Sequence, residues 1–279
     1  TPAFDPTVAI VGSGESQEAS ETGESGVGVS ILAGLEGSGA ASVSDLGEGS
    51  AGYQQIAVAR AEAQGLPADQ QAEAYRQIAA AVTYRNQRDN AGEYTDGDYM
   101  CNMTTIAMAL NQLGIGADES EKQLEDQLDE QLQADYDYPA DTLAANPRYS
   151  PDARAAWLEA NYGVQVEKLT PQTGSASDAQ EWFTTTLLSL LEQGAAATMG
   201  NPQSGAFPYN HIVRIQWVEA DGLIIDDPFG QLIDLGGYYD YALNDRSSSA
   251  GEGARGQDNL WTWEMLAAIG PSYVQVYSS

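Results

Sequence analysis

Residues 101–110 read CNMTTIAMAL, so a cysteine stands at the head of an apolar segment. Small and apolar residues fill most of this segment, which predicts a buried helix that begins at Cys101 and ends near Gly114 and Gly116. Cys101 is the only cysteine among 279 residues. Because a helix N-terminus carries partial positive charge, a thiol placed there loses its proton more easily. The sequence therefore makes Cys101 a candidate nucleophile.

The chain also contains a single histidine, His211, which begins the strand-like run HIVRI at 211–215. Asp227 follows sixteen residues later, in the segment IIDDPFG at 224–230. A thiol nucleophile needs a base, and the base needs a carboxylate or amide that holds its ring in one orientation. We therefore expect Cys101 to be the nucleophile, His211 the base and Asp227 the orienting group.

Hydrolysis of an amide also requires hydrogen-bond donors for the oxyanion of the tetrahedral intermediate. The backbone N–H of Cys101 is one expected donor. Gln87, in the segment NQRDN at 86–90, is the best candidate for a second donor, and Asn90 is the reserve.

These segments resemble a known family. The residues at 86–90 and 101–114 are similar to the nucleophile region of bacteriocin-processing (double-glycine-leader) peptidase-like cysteine peptidases, within the papain-like superfamily. The segment NHIV at 210–213 resembles the strand that carries the base, and Asp227-Pro228 resembles the pair that carries the third member of the triad. The resemblance covers roughly residues 84–277.

The resemblance implies a papain-like fold and a cysteine peptidase that needs no cofactor. It implies a catalytic set of Cys101, His211, Asp227 and Gln87. The chain departs from the family pattern at Asn102-Met103, where Gly-Pro is common, and at Asn210, where Gly is common. The spacing from the glutamine to the cysteine is also longer than in compact members, so the shape of the acyl pocket is expected to differ.

Helical periodicity dominates the chain from about residue 53, and strand periodicity dominates its last third. Helices followed by an antiparallel sheet predict an α+β fold, here a papain-like one with an N-terminal accessory arm. We expect helices from about 53 to the break at 65–67, at 68–82, from 101 to about 114, around 124–132, at 151–162 and at 179–193, and strands at 195–199, 210–218, 222–226 and 272–277.

Composition divides the chain into three predicted parts. Residues 1–50 hold eight acidic and no basic residues and are rich in Gly, Ser and Ala, which is typical of a flexible leader or an arm that docks on a partner. Residues 51–83 predict two short helices, interpreted as an accessory or pro-like segment. Residues 84–279 contain the candidate catalytic residues and predict the hydrolase domain.

The formal net charge is −30, with 41 acidic and 11 basic residues. Such a field repels nucleic acids and anionic membranes, so a nucleic-acid partner is not expected. No apolar run is long enough to predict a membrane span. The acidity fits either a protein adapted to high salt or an acidic protein that is secreted or carried on a particle, and we expect an extracellular or secreted location.

Each candidate residue also has a simpler interpretation. A single cysteine in an apolar helix is often a small buried hydrophobe, and a single histidine on a strand is often structural. One cysteine and one histidine make no zinc site without suitably spaced carboxylates, so no metal is expected. Aromatic residues in the last third predict either a substrate groove or packing at the sheet edge; they are Tyr238, Tyr239, Tyr241, Trp261 and Trp263.

The sequence leaves three functions open. The first is a bacterial or phage cysteine hydrolase, secreted or particle-borne, that cleaves protein or peptidoglycan. The second is a non-catalytic structural or docking protein that retains a papain-like domain. The third is an acyl transferase, which would use the same triad.

Overall fold

The computed structural model describes residues 43, 46–47, 49, 51–89, 97–136, 147–203, 210–234, 238–239 and 255–279. Most of the predicted arm, the reserve candidate Asn90 and the side chains of Tyr238, Tyr239 and Tyr241 lie outside this description.

The described chain is helical before residue 195 apart from one short strand, and mostly strand after it. Three 3₁₀ turns occur at Gln87–Asp89, Gly97–Tyr99 and Pro147–Tyr149. The helices are α1 (Tyr53–Gln64), α2 (Ala68–Ala81), α3 (Cys101–Gln112), α4 (Leu124–Asp135), α5 (Pro151–Tyr162), α6 (Ala176–Trp182), α7 (Leu188–Leu191) and α8 (Trp263–Ile269).

Six strands form one antiparallel sheet, in the order β1-β8-β2-β3-β4-β7, and two short strands, β5 and β6, pair separately. The strands are β1 (Gln165–Leu169), β2 (Ala196–Asn201), β3 (His211–Glu219), β4 (Gly222–Asp226), β5 (Leu232–Asp234), β6 (Tyr238–Tyr239), β7 (Asn259–Thr262) and β8 (Tyr273–Ser278). Helices packed on an antiparallel sheet confirm the predicted α+β class.

Local sequence explains where the predicted helices begin and end. The hydroxyl of Ser150 accepts a hydrogen bond from the backbone N–H of Ala153, Pro151 occupies the first turn, and Gly163 ends α5 at a φ of 66°. Ser, then Pro, then a terminal Gly is the pattern that predicts these bounds. The leucine stripe at 124, 128 and 132 is buried, as expected for core packing.

The predicted helix at 179–193 begins earlier and contains a π turn, Phe183–Leu187, between α6 and α7. The hydroxyls of Thr184 and Thr185 donate to the carbonyls of Gln180 and Glu181, four residues back, both at 2.6 Å. Hydroxyls that bond these carbonyls compete with the helical ladder. This competition accounts for a local widening that periodicity does not predict.

Helices cover both faces of the central strands. Ala196 and Ala197 are consecutive in β2, yet they belong to different apolar clusters, because side chains alternate across a strand. One cluster includes α1, α2 and α8, and the other includes α3, α4 and α5. The helices at 51–83 thus share the core of the sheet, while their status as an accessory segment stays a prediction.

In the part of the chain described above, no helix is both long and apolar enough to cross a membrane.

Candidate active site

The start of α3 presents one side chain toward solvent. Eleven of the twelve residues of α3 are buried, and the exception is Cys101, which is partly exposed. The residue before it, Met100, makes no side-chain hydrogen bond to cap the helix. The first turn therefore keeps its backbone N–H groups and its partial positive charge next to the sulfur.

His211 and Asp227 form a buried pair behind this position. The imidazole Nε2 of His211 lies 2.7 Å from Oδ1 of Asp227, and the two side chains are 9% and 0% exposed. The same oxygen accepts a hydrogen bond of 2.9 Å from the backbone N–H of Phe229. Nε2 is therefore the ring nitrogen that the carboxylate orients.

Cys101 and His211 lie close enough for each to shift the pKa of the other, with hydrogen bonding and charge both contributing. Burial alone raises the pKa of the thiol, but the bond to His211 and its charge, with smaller contributions from Ile212 and Arg148, bring that pKa below its usual value. Burial lowers the pKa of His211, but Asp227 and the hydrogen bond to Cys101 raise it to about 10. Both directions favour a thiolate beside an imidazolium at neutral pH.

The backbone of Asp227 is held by two further groups. Its N–H donates to the carbonyl of Gly256 at 2.8 Å, and its carbonyl accepts from the buried hydroxyl of Tyr84 at 2.7 Å. A Cβ on residue 256 would lie 1.8 Å from the Asp227 carbonyl oxygen, so only glycine fits there. These contacts fix the turn that carries the carboxylate.

Gln87 lies between the turn that follows Asp227 and the turn that precedes Cys101. Its backbone N–H donates to the carbonyl of Pro228 at 2.9 Å, and its side-chain Nε2 donates to the carbonyl of Gly97 at 3.1 Å. A Cβ on Gly97 would approach the Gln87 carbonyl oxygen to 2.5 Å, so the two turns touch. The long spacing from glutamine to cysteine is thus closed by the turn at Gly97–Tyr99, which leads into α3.

Asp226 and Asp227 are adjacent, but their side chains contact different partners. Asp226 pairs with the fully buried guanidinium of Arg214, its partner across the β3–β4 register. Asp227 faces His211. Only Asp227 is therefore positioned to orient the imidazole.

Sequence reasoning did not identify four residues around the site, namely Tyr84, Arg148, Phe229 and Gly256. The ring of Phe229 packs edge-on against His211, with the centroids 5.9 Å apart. No sequence motif indicates that these four residues lie near the site, because each comes from a different segment of the chain. Only Gly256 belongs to a residue type that commonly marks a close approach.

Two of the aromatic residues considered for a substrate groove pack in the core instead. Trp261 is 1% exposed and Trp263 is 6% exposed, and both belong to the cluster beneath the sheet. The indole N–H of Trp263 donates to the carbonyl of Ala220 at 2.9 Å. These contacts favour the packing interpretation for both residues.

Within the described ranges, no group of three or more His, Cys, Asp or Glu side chains is arranged to hold a metal ion.

Residues 79–247 match the model of the Peptidase_C39 like family, which is more than half of the chain. The chain belongs to this family. The predicted resemblance to papain-like C39 cysteine peptidases is confirmed at that level, and the matched region includes α3, β3 and β4. No curated protein matches the chain.

Proposed function

We propose that the protein is a cysteine peptidase that hydrolyses an amide bond with Cys101 as the nucleophile. The observation that carries the proposal is the placement of the partly exposed Cys101 beside His211, whose ring lies 2.7 Å from the buried Asp227 carboxylate. A nucleophile, a base and an orienting group in contact are the arrangement that activates thiols in hydrolases.

In acylation, the Cys101 thiolate attacks the substrate carbonyl carbon and forms a carbon–sulfur bond. The carbonyl oxygen becomes an oxyanion, for which the backbone N–H of Cys101 and an N–H of Gln87 are the proposed donors. Gln87 has two amide hydrogens, and the bond to Gly97 uses one while fixing the plane of the amide. Collapse breaks the carbon–nitrogen bond, and the His211 imidazolium gives its proton to the leaving amine.

In deacylation, water attacks the thioester carbonyl while His211 takes one of the water's protons. The second tetrahedral intermediate releases the carboxylic acid and returns the sulfur to the thiolate. Asp227 keeps one orientation of the ring through both steps and stabilises its charged form.

The substrate class we propose is a protein segment or a peptidoglycan stem peptide. The formal net charge is −30, and three exposed cations lie beside carboxylates: Arg76 with Glu219, Lys122 with Glu130 and Lys168 with Asp152. The outer surface is therefore strongly negative, which favours neutral or cationic peptides during approach. Bacteriocin-type processing and a location outside the cell remain finer proposals within this class.

The first test replaces Cys101 with alanine and compares digestion of purified peptidoglycan and of casein. We expect wild type to release fragments from one of the two substrates and Cys101→Ala to lose at least about 10⁴-fold in rate, because the step that forms the covalent intermediate is removed. Met103→Leu is the matched control, since Met103 is a buried residue of the same helix turn. We expect this variant to stay active.

Alkylation by iodoacetamide at pH 6 separates a hydrolase from a non-catalytic docking protein. The peptidase proposal predicts that the single thiol reacts faster than free cysteine at this pH, because more of it is ionised. A rate no faster than that of free cysteine, together with no digestion of either substrate by wild type, would favour the docking role.

A further inference from the structure

A buried cation lies close to the start of α3. Arg148, in the turn Pro147–Tyr149, is 1% exposed, and its guanidinium is 3.5 Å from the carboxylate of Asp129, which is fully buried. Its planar group also stacks over the ring of Tyr149, with Cζ 4.8 Å from the ring centroid. A buried charge is costly, so its position calls for a physical reason.

Arg148 is tied to the chain on both sides of Cys101. Its guanidinium donates to the backbone carbonyl of Tyr99, two residues before the cysteine. Its own carbonyl accepts a 2.8 Å hydrogen bond from the side-chain amide of Asn102, the residue after the cysteine. Arg148 thus links the turn before the thiol to the first turn of the helix after it.

The helix dipole does not explain the placement. A cation near a helix N-terminus opposes the partial positive charge there, whereas a cation near the C-terminus is stabilised. A negative charge next to both the Arg148 guanidinium and the helix N-terminus would offset this repulsion. The Cys101 thiolate supplies such a charge, and the field of Arg148 contributes to lowering the pKa of this thiol.

Other charged or titratable groups face the same space. His211 from β3 acts on the Cys101 thiol, and the charge of Cys101 contributes to raising the pKa of Tyr149 and of Tyr273. Asp129 from α4 partly neutralises Arg148, and Arg154 from α5 donates to the Arg148 carbonyl. A test of Arg148 must therefore account for its pairing with Asp129.

We propose that Arg148 is a positioning residue for Cys101, fixing the turn at the head of α3 and stabilising the negative sulfur through its buried charge. The proposal rests on the proposed role of Cys101 as the nucleophile. It deepens that role by assigning part of the thiol activation to a residue outside the triad.

The test measures the rate of Cys101 alkylation by iodoacetamide from pH 4 to pH 9 in the full chain. In Arg148→Met we expect the midpoint of the profile to move to higher pH and the rate at pH 6 to fall about tenfold, equivalent to one unit of thiol pKa. Arg148→Lys keeps the cation but loses the planar fork, so its profile is expected between those of wild type and Arg148→Met.

Two further variants guard against a purely structural effect. Arg148→Met leaves Asp129 buried without its cation, so Arg148→Met with Asp129→Asn provides a neutral pair that is expected to fold. Arg60→Met is the matched control, because Arg60 is a buried arginine that donates to the Gln112 carbonyl, at the other end of α3. We expect its alkylation profile to coincide with that of wild type.

The outcomes distinguish this proposal from the one on which it rests. If the wild-type thiol at pH 6 reacts no faster than free cysteine, the role of Cys101 as an activated nucleophile is wrong. If the wild-type thiol is activated and the folded Arg148 variants, including the neutral pair, share its profile, the role of Arg148 is wrong. A shift in the neutral pair without one in Arg60→Met supports it.

Discussion

The two ends of helix α3 use buried positive charge in different ways. At the C-terminal end, Arg60 donates to the backbone carbonyl of Gln112, Arg214 donates to the side-chain oxygen of the same residue, and Arg85 donates to the side chain of Asn111. Cations at this end satisfy helix carbonyls and side chains and agree with the dipole. Their contacts account for their presence as structural groups.

At the N-terminal end the cations oppose the dipole. Arg148 and His211 lie beside the first turn, each is paired with a buried carboxylate, and both lower the pKa of the partly exposed Cys101. The comparison suggests a general criterion. A buried cation at a helix C-terminus is explained by the backbone, whereas one at a helix N-terminus implies an anion that belongs there.

The largest effect is expected when a cation at the C-terminal end of α3 is removed. Arg214→Met leaves the buried Asp226 carboxylate without its partner, so we expect the free energy of unfolding to fall by about 3 to 5 kcal/mol. Urea denaturation measures the loss. The alkylation rate of the folded fraction should stay that of wild type, and a large fall in that rate would show that the two ends are not separable.

The next test changes the charge at the N-terminal end and keeps the shape. Asp227→Asn retains an oxygen for Nε2 of His211 but loses the negative charge, so the pKa of His211 should fall from about 10 toward its ordinary value. The imidazolium then disappears at lower pH. We expect the basic limb of the pH profile for amide hydrolysis to move down, with about a 10- to 100-fold loss at pH 9 and a smaller one at pH 6.

The control for this variant is Asp178→Asn, a change at an exposed carboxylate in the first turn of α6. Its profile should match wild type. An unchanged basic limb in Asp227→Asn would mean that another group controls proton transfer.

The smallest expected effect concerns the carboxyl group of Glu125, which belongs to the charged groups at the C-terminal end of α3. Burial raises the pKa of Glu125 to about 7, although Arg85 opposes this. The folded state therefore holds a proton that the unfolded chain releases near pH 4.5, so this contribution to stability is complete below that pH and is lost as pH rises through 7.

Glutamine at position 125 cannot ionise, so Glu125→Gln does not lose this stability as the pH rises. The free energy of unfolding of Glu125→Gln, relative to that of wild type, should therefore increase by about 1 to 3 kcal/mol between pH 4.5 and pH 7.5. Thermal or urea unfolding at several pH values measures the difference. Glu121→Gln, at an exposed position, is the control and should show no such gain. A constant difference between Glu125→Gln and wild type would contradict the raised pKa.

Much of the site was predictable because its residue types are scarce. With one cysteine and one histidine, a thiol mechanism allows a single pairing, and the structure brings these two side chains together. Helix bounds were predictable where Ser, Pro and Gly mark them, as in α5. Strand β1 was not predicted, because it is an edge strand with mostly exposed side chains and lacks an apolar alternation.

The amino-acid sequence by itself determined the fold class, the candidate nucleophile, the candidate base and the order in which they occur, since these follow from local periodicity and from residue chemistry. Only the tertiary structure decided that the neighbouring Asp226 pairs with Arg214, and that Arg148 lies beside the head of α3. The physical reason is that strand register and the packing of distant turns set the direction of each side chain. No local pattern in the sequence records these directions.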